Sequence, residues 1–517
     1  MSRARVADAL TPHLALQREG GEAMHRQLYS SFRSAILEGV FAPGMRLPST
    51  RALAGDLGVS RTTVLQAFER LVSEGYATAR SGAGTRVATS LNTSAHRRST
   101  MRVEGRAPRA PERPPRLSRS TIAVLDEFKN PRPAFQMVPF ALGIPAIDEF
   151  PVALWARLIG RLWRTRATEM LRFTDVRGFP PLREAIAQYV MTARGVRCTA
   201  DQVLVTNGAQ HGIDLMARML LDPGDTAWVE DPGWRPMRAT LRAAGAQLVR
   251  IPVDGQGIDV YEGERRAPNA RLALVTPSYQ APLGVALTLE RRLALLDWAT
   301  RADAWVLEDD YNGEYRYDTD PIPAVQALDR AGRVIYVGSF SKTVAPGLRV
   351  GYLVLPPSLV AAARLSRLAS DMHSSVAEQA VLAEFLSGGH FARHIRRTRE
   401  LYRQRQSDML ELGAQLAPGL LEMRAAPAGM RLLALLPPGV DARAVSWAAA
   451  ERGVQVTPLS RSAPKAITNG REGLLLGYAA YDRASTEAAL RVLTQVVREQ
   501  MAQPKMRSER AVIRQGA

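Results

Sequence analysis

Lys342 constrains this chain more than any other residue. The sequence carries its positive charge on arginine, 64 of them against four lysines, yet Gly338-Ser339-Phe340-Ser341-Lys342-Thr343 places a lysine at 342. Only a deprotonatable primary amine forms a Schiff base, so arginine could not fill that role. Val334-Ile335-Tyr336-Val337 just upstream reads as a buried strand. The amine therefore emerges at a strand's carboxyl end, where ligands of α/β proteins gather. A surface lysine after a strand is the competing reading of this segment alone.

Other segments point at the same place. Ala304-Trp305-Val306-Leu307-Glu308 is a second short apolar run and ends in Asp309-Asp310-Tyr311. An Asp beside the pyridine nitrogen of pyridoxal phosphate (PLP) keeps that nitrogen protonated, and a Tyr hydroxyl hydrogen-bonds the phenolic oxygen. Gln202 to Thr206 reads as a third strand, followed by Asn207-Gly208-Ala209-Gln210 and an apolar helical stretch from about His211 to Leu221. A helix start of this kind offers free N–H groups to a phosphate.

In this order and spacing, residues from about 140 to 500 resemble the fold-type I PLP enzymes, the aspartate aminotransferase superfamily. The resemblance implies Lys342 as the Schiff-base lysine, Asp309 as the partner of the pyridine nitrogen and Tyr311 as a phenolic-oxygen contact. It implies a phosphate cup of Gly208, Ala209, Gln210, Ser339, Ser341 and Arg349, and a ring stacked on Trp234 of Asp231-Pro232-Gly233-Trp234. The chain departs from that pattern twice. Where these enzymes commonly carry an Asn, Pro277-Ser278-Tyr279-Gln280-Ala281-Pro282-Leu283-Gly284 has Ala281, which implies a looser hold on the ring. The strand Leu474-Leu475-Leu476-Gly477-Tyr478 lacks the Arg that often grips a substrate carboxylate. Arg235, Arg238 and Arg461 are the candidate substitutes, each with a solvated side chain as the competing reading.

Residues 25 to 88 form a separate unit. Leu28, Phe32 and Ile36 recur at helical spacing from His25 to Leu37, and Gly39 ends that helix. Ser49 or Thr50 caps a second helix that Gly58 stops, and Ser60 caps a third. On the third, Val64, Phe68, Leu71 and Val72 make the buried stripe and leave Arg61, Thr62, Thr63 and Gln66 to solvent. Tyr76 to Val87 reads as a β-hairpin wing around Ser81-Gly82-Ala83-Gly84-Thr85. The unit is a winged helix-turn-helix whose third helix enters the major groove. Its string Gly44-Met45-Arg46-Leu47-Pro48-Ser49-Thr50-Arg51, with Leu57-Gly58-Val59-Ser60-Arg61-Thr62-Thr63-Val64 and Glu74-Gly75-Tyr76, resembles the GntR-type DNA-binding domain. That resemblance implies DNA contacts by Arg51, Ser60, Arg61, Thr62 and Thr63, with Arg80 and Thr85 on the wing.

A GntR-type head on a fold-type I body resembles the MocR family of bacterial transcription regulators. The resemblance implies a head-to-tail homodimer on a promoter with two half-sites, responding to PLP, to an amino-compound effector, or to both. An aminotransferase with an accessory DNA-binding head is the alternative, and slow or partial transamination is the most that the missing strand arginine allows. The expected organisation is multi-domain: a winged helix-turn-helix at 22–90, a Pro/Arg-rich linker at 91–133, an α/β fold-type I aminotransferase-like body at 134–503 with a small subdomain from about 370, and a tail at 504–517.

Charge agrees with a nucleic-acid partner. The net charge is +18, and residues 1–133 hold 21 basic against 11 acidic residues, as a phosphate-neutralising end requires. A single cysteine, Cys198, excludes an internal disulfide and a Cys-cluster metal site, and it fits a reducing cytoplasm. No metal site, transmembrane run or signal peptide is expected.

Overall fold

The computed structural model describes residues 22–80, 84–90, 115–128, 137–317, 322–459 and 468–502. Its contacts divide the chain into two compact units, Met1–Arg116 and Leu117–Ala517.

The first unit contains α1 (Met24–Leu37), α2 (Thr50–Leu57), α3 (Arg61–Ser73) and an antiparallel hairpin of β1 (Ala77–Arg80) and β2 (Gly84–Val87). Phe32 is the hub of its core, stacked on Phe41 at 5.7 Å and edge-on to Phe68 at 5.3 Å. Side-chain caps set the ends of the helices. Ser49 Oγ accepts the Ala52 N–H at 3.2 Å, and Ser60 Oγ accepts that of Thr63 at 3.0 Å. Gly58, at φ 61°, ends α2 in the left-handed region where a glycine is least strained. The expected stripe of α3 needs one correction. Val72 is 37% exposed, and Ala67 packs in the core with Val64, Phe68 and Leu71, because position 72 falls off the 3.6-residue face that these four share.

The second unit opens with α4 (Arg119–Glu127), inside the stretch expected to be linker. That expectation is corrected for residues 117–128. Ser118 Oγ caps α4 by accepting the Thr121 N–H at 3.1 Å, and Glu127 at its end is buried. Little apolar burial marks this helix, since Ile122 and Leu125 are exposed, so an apolar pattern could not reveal it. The linker's arginines from Arg97 to Arg113 lie outside the described residues, as does the tail from 504.

The body continues through α5 (Val152–Leu171), α6 (Pro180–Arg194), β3 (Val203–Thr206), α7 (Ala209–Leu220), β4 (Thr226–Asp231), α8 (Arg235–Ala243), β5 (Gln247–Asp254), β6 (Gly257–Ile258), α9 (Val260–Arg266), β7 (Leu272–Val275), α10 (Leu289–Arg301), β8 (Trp305–Asp309), β9 (Val334–Ser339) and β10 (Gly351–Val354). The large sheet has the order β3-β10-β9-β8-β7-β4-β5-β6. Strands β5, β4, β7, β8 and β9 are parallel, and β10 runs antiparallel to both β9 and β3. Strand β3 therefore points the same way as β9, and the carboxyl ends of β3, β4, β8 and β9 share one edge. Their continuous apolar runs fit a sheet covered on both faces.

Helices α11 (Pro357–Ser370), α12 (Val376–Ser387) and α13 (His390–Leu416) lead into a smaller sheet. It is made of β11 (Glu422–Met423), β12 (Arg431–Leu435), β13 (Thr457–Pro458) and β14 (Gly473–Gly477), with α14 (Ala442–Ala450) and α15 (Arg483–Ala502) packed together beside it. All pairings in this sheet are antiparallel, in the order β11-β12-β14-β13. Strand β11 is two residues long, shorter than the Leu421 to Ala426 run that its sequence suggests.

Candidate cofactor site and nucleic-acid face

The shared edge of the large sheet gathers the polar residues. Strand β8 ends on Asp309, only 2% exposed, and its Oδ1 is buried without a hydrogen-bond partner. Burial, and then the neighbouring carboxylates Asp310 and Glu230, push the Asp309 carboxyl up to about 8, with Lys342 opposing them. Lys342 follows the end of β9 and donates from Nζ to the Gly143 carbonyl. Burial first, and the Arg431 charge second, pull its amine down to about 8, against the pull of Asp309. Each of the two groups therefore moves the other's titration. A neutral amine is the form that attacks a carbonyl carbon, so the lowering favours reaction.

The other end of the site is a helix start. Gly208, at φ 92°, precedes α7, whose first-turn N–H groups have no partner within the helix. Arg349 lies against it and donates from Nη2 to the Asn207 carbonyl at 2.9 Å. A Cβ on Gly208 would stand 3.1 Å from that guanidinium. Ser339 Oγ accepts the Ser341 N–H at 3.2 Å and so fixes the turn that leads to Lys342.

These residues fit PLP. An orphaned buried carboxylate oxygen needs a protonated nitrogen, a helix start with an exposed arginine suits a phosphate, and Gly143 leaves room at the amine, where a Cβ would stand 2.3 Å from Nζ.

In the first unit Arg51, Ser60, Arg61, Thr62, Gln66 and Arg80 are exposed, and Thr63 and Thr85 are partly buried. Arg46 lays its guanidinium along Gly84 at the base of the wing, where a Cβ would be 3.2 Å from Nε. The first turn of α3 is thus free of the core on its outer face, the geometry by which a helix-turn-helix reads base edges.

Comparison with known proteins agrees with both halves. Residues 24–87 match the model of bacterial regulatory proteins of the gntR family, and residues 139–491 match aminotransferase class I and II. The probable rhizopine catabolism regulatory protein MocR of Rhizobium meliloti is 42% identical over 475 residues, 91% of this chain and 92% of that protein. This chain is a MocR-type regulator. The pyridoxine biosynthesis regulator PdxR of Corynebacterium glutamicum is 29% identical and spans 94% of this chain and 98% of its own. Among solved structures, the kynurenine aminotransferase of Pyrococcus horikoshii superposes with a TM-score of 0.63 at 26% identity, covering 78% of this chain and 98% of that enzyme. The α-aminoadipate aminotransferase LysN of Thermus thermophilus gives 0.63 at 27%, covering 74% and 96%.

Within this MocR-type body most of the expected residues converge, and some do other work. The Gln210 side chain donates to the Pro236 carbonyl at 3.1 Å and to Thr240 Oγ1, so it is engaged away from the helix start. Trp234 stands at the N-cap position of α8 and is 45% exposed, leaving its ring open to a ligand. Arg235 and Arg238 need correction as effector arginines. Arg238 pairs with Glu127 Oε2 at 3.3 Å and donates to the Gly233 carbonyl at 2.8 Å. Arg235 donates to the Glu127 carbonyl, and Arg242 reaches Glu127 Oε1 at 3.0 Å. These charges hold α4 onto α8, a long-range pairing that sequence spacing does not show. Arg461 lies outside the described residues.

Sequence reasoning also missed residues. Glu230 at the end of β4 accepts from the Thr276 N–H at 3.0 Å, Thr276 Oγ1 at 2.6 Å and Gln280 Nε2 at 2.9 Å. Burial pushes its carboxyl up to about 7 against those donors. Asp310, beside Asp309, turns away from the site to Arg194 at 2.6 Å and to the Tyr336 hydroxyl at 2.8 Å. Arg431, at the start of β12, donates to Tyr311 Oη at 2.9 Å. Its only sequence signal was a cation heading an apolar strand, which does not distinguish it among 64 arginines.

Proposed function

We propose that this chain is a PLP-dependent transcription regulator whose body senses PLP and an amino compound and whose head holds promoter DNA. One observation carries the sensing half: the buried, unpartnered Asp309 Oδ1 set against Lys342, whose amine burial has pulled down to about 8. When bound, PLP supplies an aldehyde that condenses with primary amines and a ring that accepts electron density. Lys342 is the amine placed to hold that aldehyde. Asp309 holds the proton of the ring nitrogen, and Tyr311 faces the phenolic oxygen with its own hydroxyl fixed by Arg431. The α7 start, Ser339, Ser341 and Arg349 hold the phosphate, and Trp234 covers the ring. In the head, Arg61, Thr62 and Thr63 approach bases and phosphates with Arg51 and Ser60, while Arg80 and Thr85 do so from the wing.

A head-to-tail homodimer supplies the two heads that a two-half-site operator requires. Exposed Val152, Leu171 and Phe173 on and beside α5 are apolar surface of the kind a second copy covers. Among the described residues no helix is long and apolar enough to cross a membrane.

The test is operator binding by the full chain without PLP, with PLP, and with PLP plus candidate amino compounds. We expect the affinity or the protected length of DNA to change on loading. Identical binding in all three, with PLP demonstrably bound, overturns the sensing role. Transamination at ordinary enzyme rates of about 1 to 1000 per second would favour the aminotransferase alternative.

A further inference from the structure

We propose that Arg431 is the specificity-determining residue for the effector: it grips the carboxylate of an amino-acid ligand and fills the two places where this body departs from its enzyme relatives. The proposal rests on the sensing role above and names the ligand class for that site.

The geometry begins with β14, the strand that has no arginine. Its last residue, Gly477, cannot carry a side chain, because a Cβ there would stand 2.2 Å from the Ala141 carbonyl oxygen. The chain at Phe140 bridges to Gly477 and runs on to Gly143, which receives the Lys342 amine. That end of β14 is closed by backbone. Directly across the register, paired with Gly477, stands Arg431 of β12. A cation therefore stands on the neighbouring strand, at the register position opposite the closed end of β14.

From there Arg431 reaches the large sheet at the other departure, Ala281. It donates from Nε to the Pro282 carbonyl at 3.1 Å and from Nη2 to the Gln280 carbonyl at 3.1 Å, straddling Ala281. Nη2 also donates to Tyr311 Oη at 2.9 Å. The guanidinium lies over the rings of Tyr279 and Tyr311, at 4.9 and 5.9 Å from their centroids. An arginine thus stands beside the Tyr311 hydroxyl at the place where the alanine side chain offers no donor.

Every one of these partners is neutral. Among the described residues no carboxylate pairs with Arg431, and its Nη1 donates to none, although the side chain is enclosed by two tyrosines and a loop. A guanidinium held only by neutral acceptors keeps most of its charge available, and a desolvated cation gains most from an anion. Arg431 lies close enough to Lys342 for its charge to act on the amine, and its other side lines an open cavity of about 300 Å³ with Tyr279, Pro282, Leu283 and Leu433, a cavity that Lys342 and Asp309 do not line. An amino acid whose nitrogen engages the Lys342 side of the site would place its carboxylate against this guanidinium, which donates to Tyr311 of the same site. Amines that lack the carboxylate have nothing for Arg431 to hold.

The test uses full-length protein loaded with PLP and follows the cofactor's visible absorbance during titration with matched pairs: L-alanine and ethylamine, L-leucine and isoamylamine, 4-aminobutyrate and propylamine. The readout is the ratio of Kd for the amine to Kd for its amino acid. We expect at least one pair to favour the amino acid in the native protein. In Arg431→Gln that ratio falls by about 10-fold to 150-fold, the value of a hydrogen bond to a charged group. Arg431→Lys restores part of it. A purely structural Arg431 moves both constants together and leaves the ratio where it was, which overturns the proposal. Native protein that responds to amines without preferring any carboxylate overturns it too, while leaving the sensing role intact. Native protein whose spectrum ignores amines of both kinds overturns the sensing role, and Arg431's with it.

Discussion

The two units of this chain expose their chemistry in opposite ways. The head works by what it leaves out of its core: Arg61, Thr62 and Gln66 stand on the outer face of α3 while Val64, Ala67, Phe68 and Leu71 hold the helix from behind. The body works by what it buries. Asp309, Glu230 and Asp310 are all under 7% exposed, and two of them keep an oxygen without a partner. A surface reader needs only a rigid support, because water satisfies its polar groups until DNA replaces it. A buried site must hold polar groups at a cost that only its ligand relieves, and that cost makes it responsive.

The widest test of this contrast is Lys342→Ala. We expect loss of all borohydride-trapped covalent PLP, because the amine set against Asp309 is the one that reacts. Peptide mapping of the trapped native protein checks it, and a label on Lys129, Lys465 or Lys505 would place the site elsewhere.

Asp309→Ala comes next. Removing the partner of a buried, protonated ring nitrogen is expected to weaken PLP binding by about 3 kcal/mol, roughly a hundredfold in Kd. The cofactor-free protein offers a second reading. Asp309 titrates from 3.8 up to about 8, so over that interval the folded state keeps a proton that the unfolded chain has lost. Stability therefore falls as pH rises from 3.8 to about 8. Lys342 goes the other way: its amine drops from 10.5 to about 8, so the cost of burying its charge is present below about 8 and is relieved as pH climbs to 10.5. Asp309→Asn should make the first limb shallower, leaving the share of Glu230, and should start the second limb at a lower pH because the carboxylate's pull on the Lys342 amine is gone. Denaturant titrations across that range decide it, and an unchanged first limb would mean that Asp309 is not the buried acid.

The same contrast explains what was legible in the sequence. The head is written contiguously: Ser60 caps the helix that carries Arg61 to Thr63, and Gly58 ends the one before it, so local punctuation and a 3.6-residue period suffice. Within the body, strand ends were legible because Asp309 and Lys342 each follow an apolar run that has to be a strand. Arg431 and Glu127 were not. Their roles depend on which strand lies beside β14 and which helix lies beside α8, and pairings across tens to hundreds of residues leave no local pattern. Arg235 and Arg238 misled for the same reason, since a cation next to Trp234 in the sequence reads alike whether its partner is an effector or a distant glutamate.

For the head, Arg61→Ala sharpens the comparison. Losing a base contact is expected to cost about 1 to 3 kcal/mol on operator DNA and much less on scrambled DNA. Losing only a phosphate contact weakens both alike and lowers the salt slope by about 1. Titrations of full-length protein on both DNAs at two salt concentrations separate these results. Undiminished affinity for both would remove Arg61 from the reading face.

Ser60→Ala is the smallest expected effect and isolates support from reading. Ser60 Oγ accepts the Thr63 N–H at 3.0 Å and touches Thr63 Oγ1 at 2.8 Å, so it holds the first turn of α3 in the shape that presents Arg61 and Thr62. Loss of an N-cap of this kind costs about 1 kcal/mol. Amide hydrogen exchange at Thr63 in the full chain should speed up about fivefold, the kinetic equivalent of that energy when opening is local. If the cap is only support, affinity for operator and scrambled DNA should fall together and their ratio should stay within about twofold. A drop confined to the operator would show that the Ser60 hydroxyl itself meets the DNA, and the head would then read with its capping residue as well as with the exposed face of its helix.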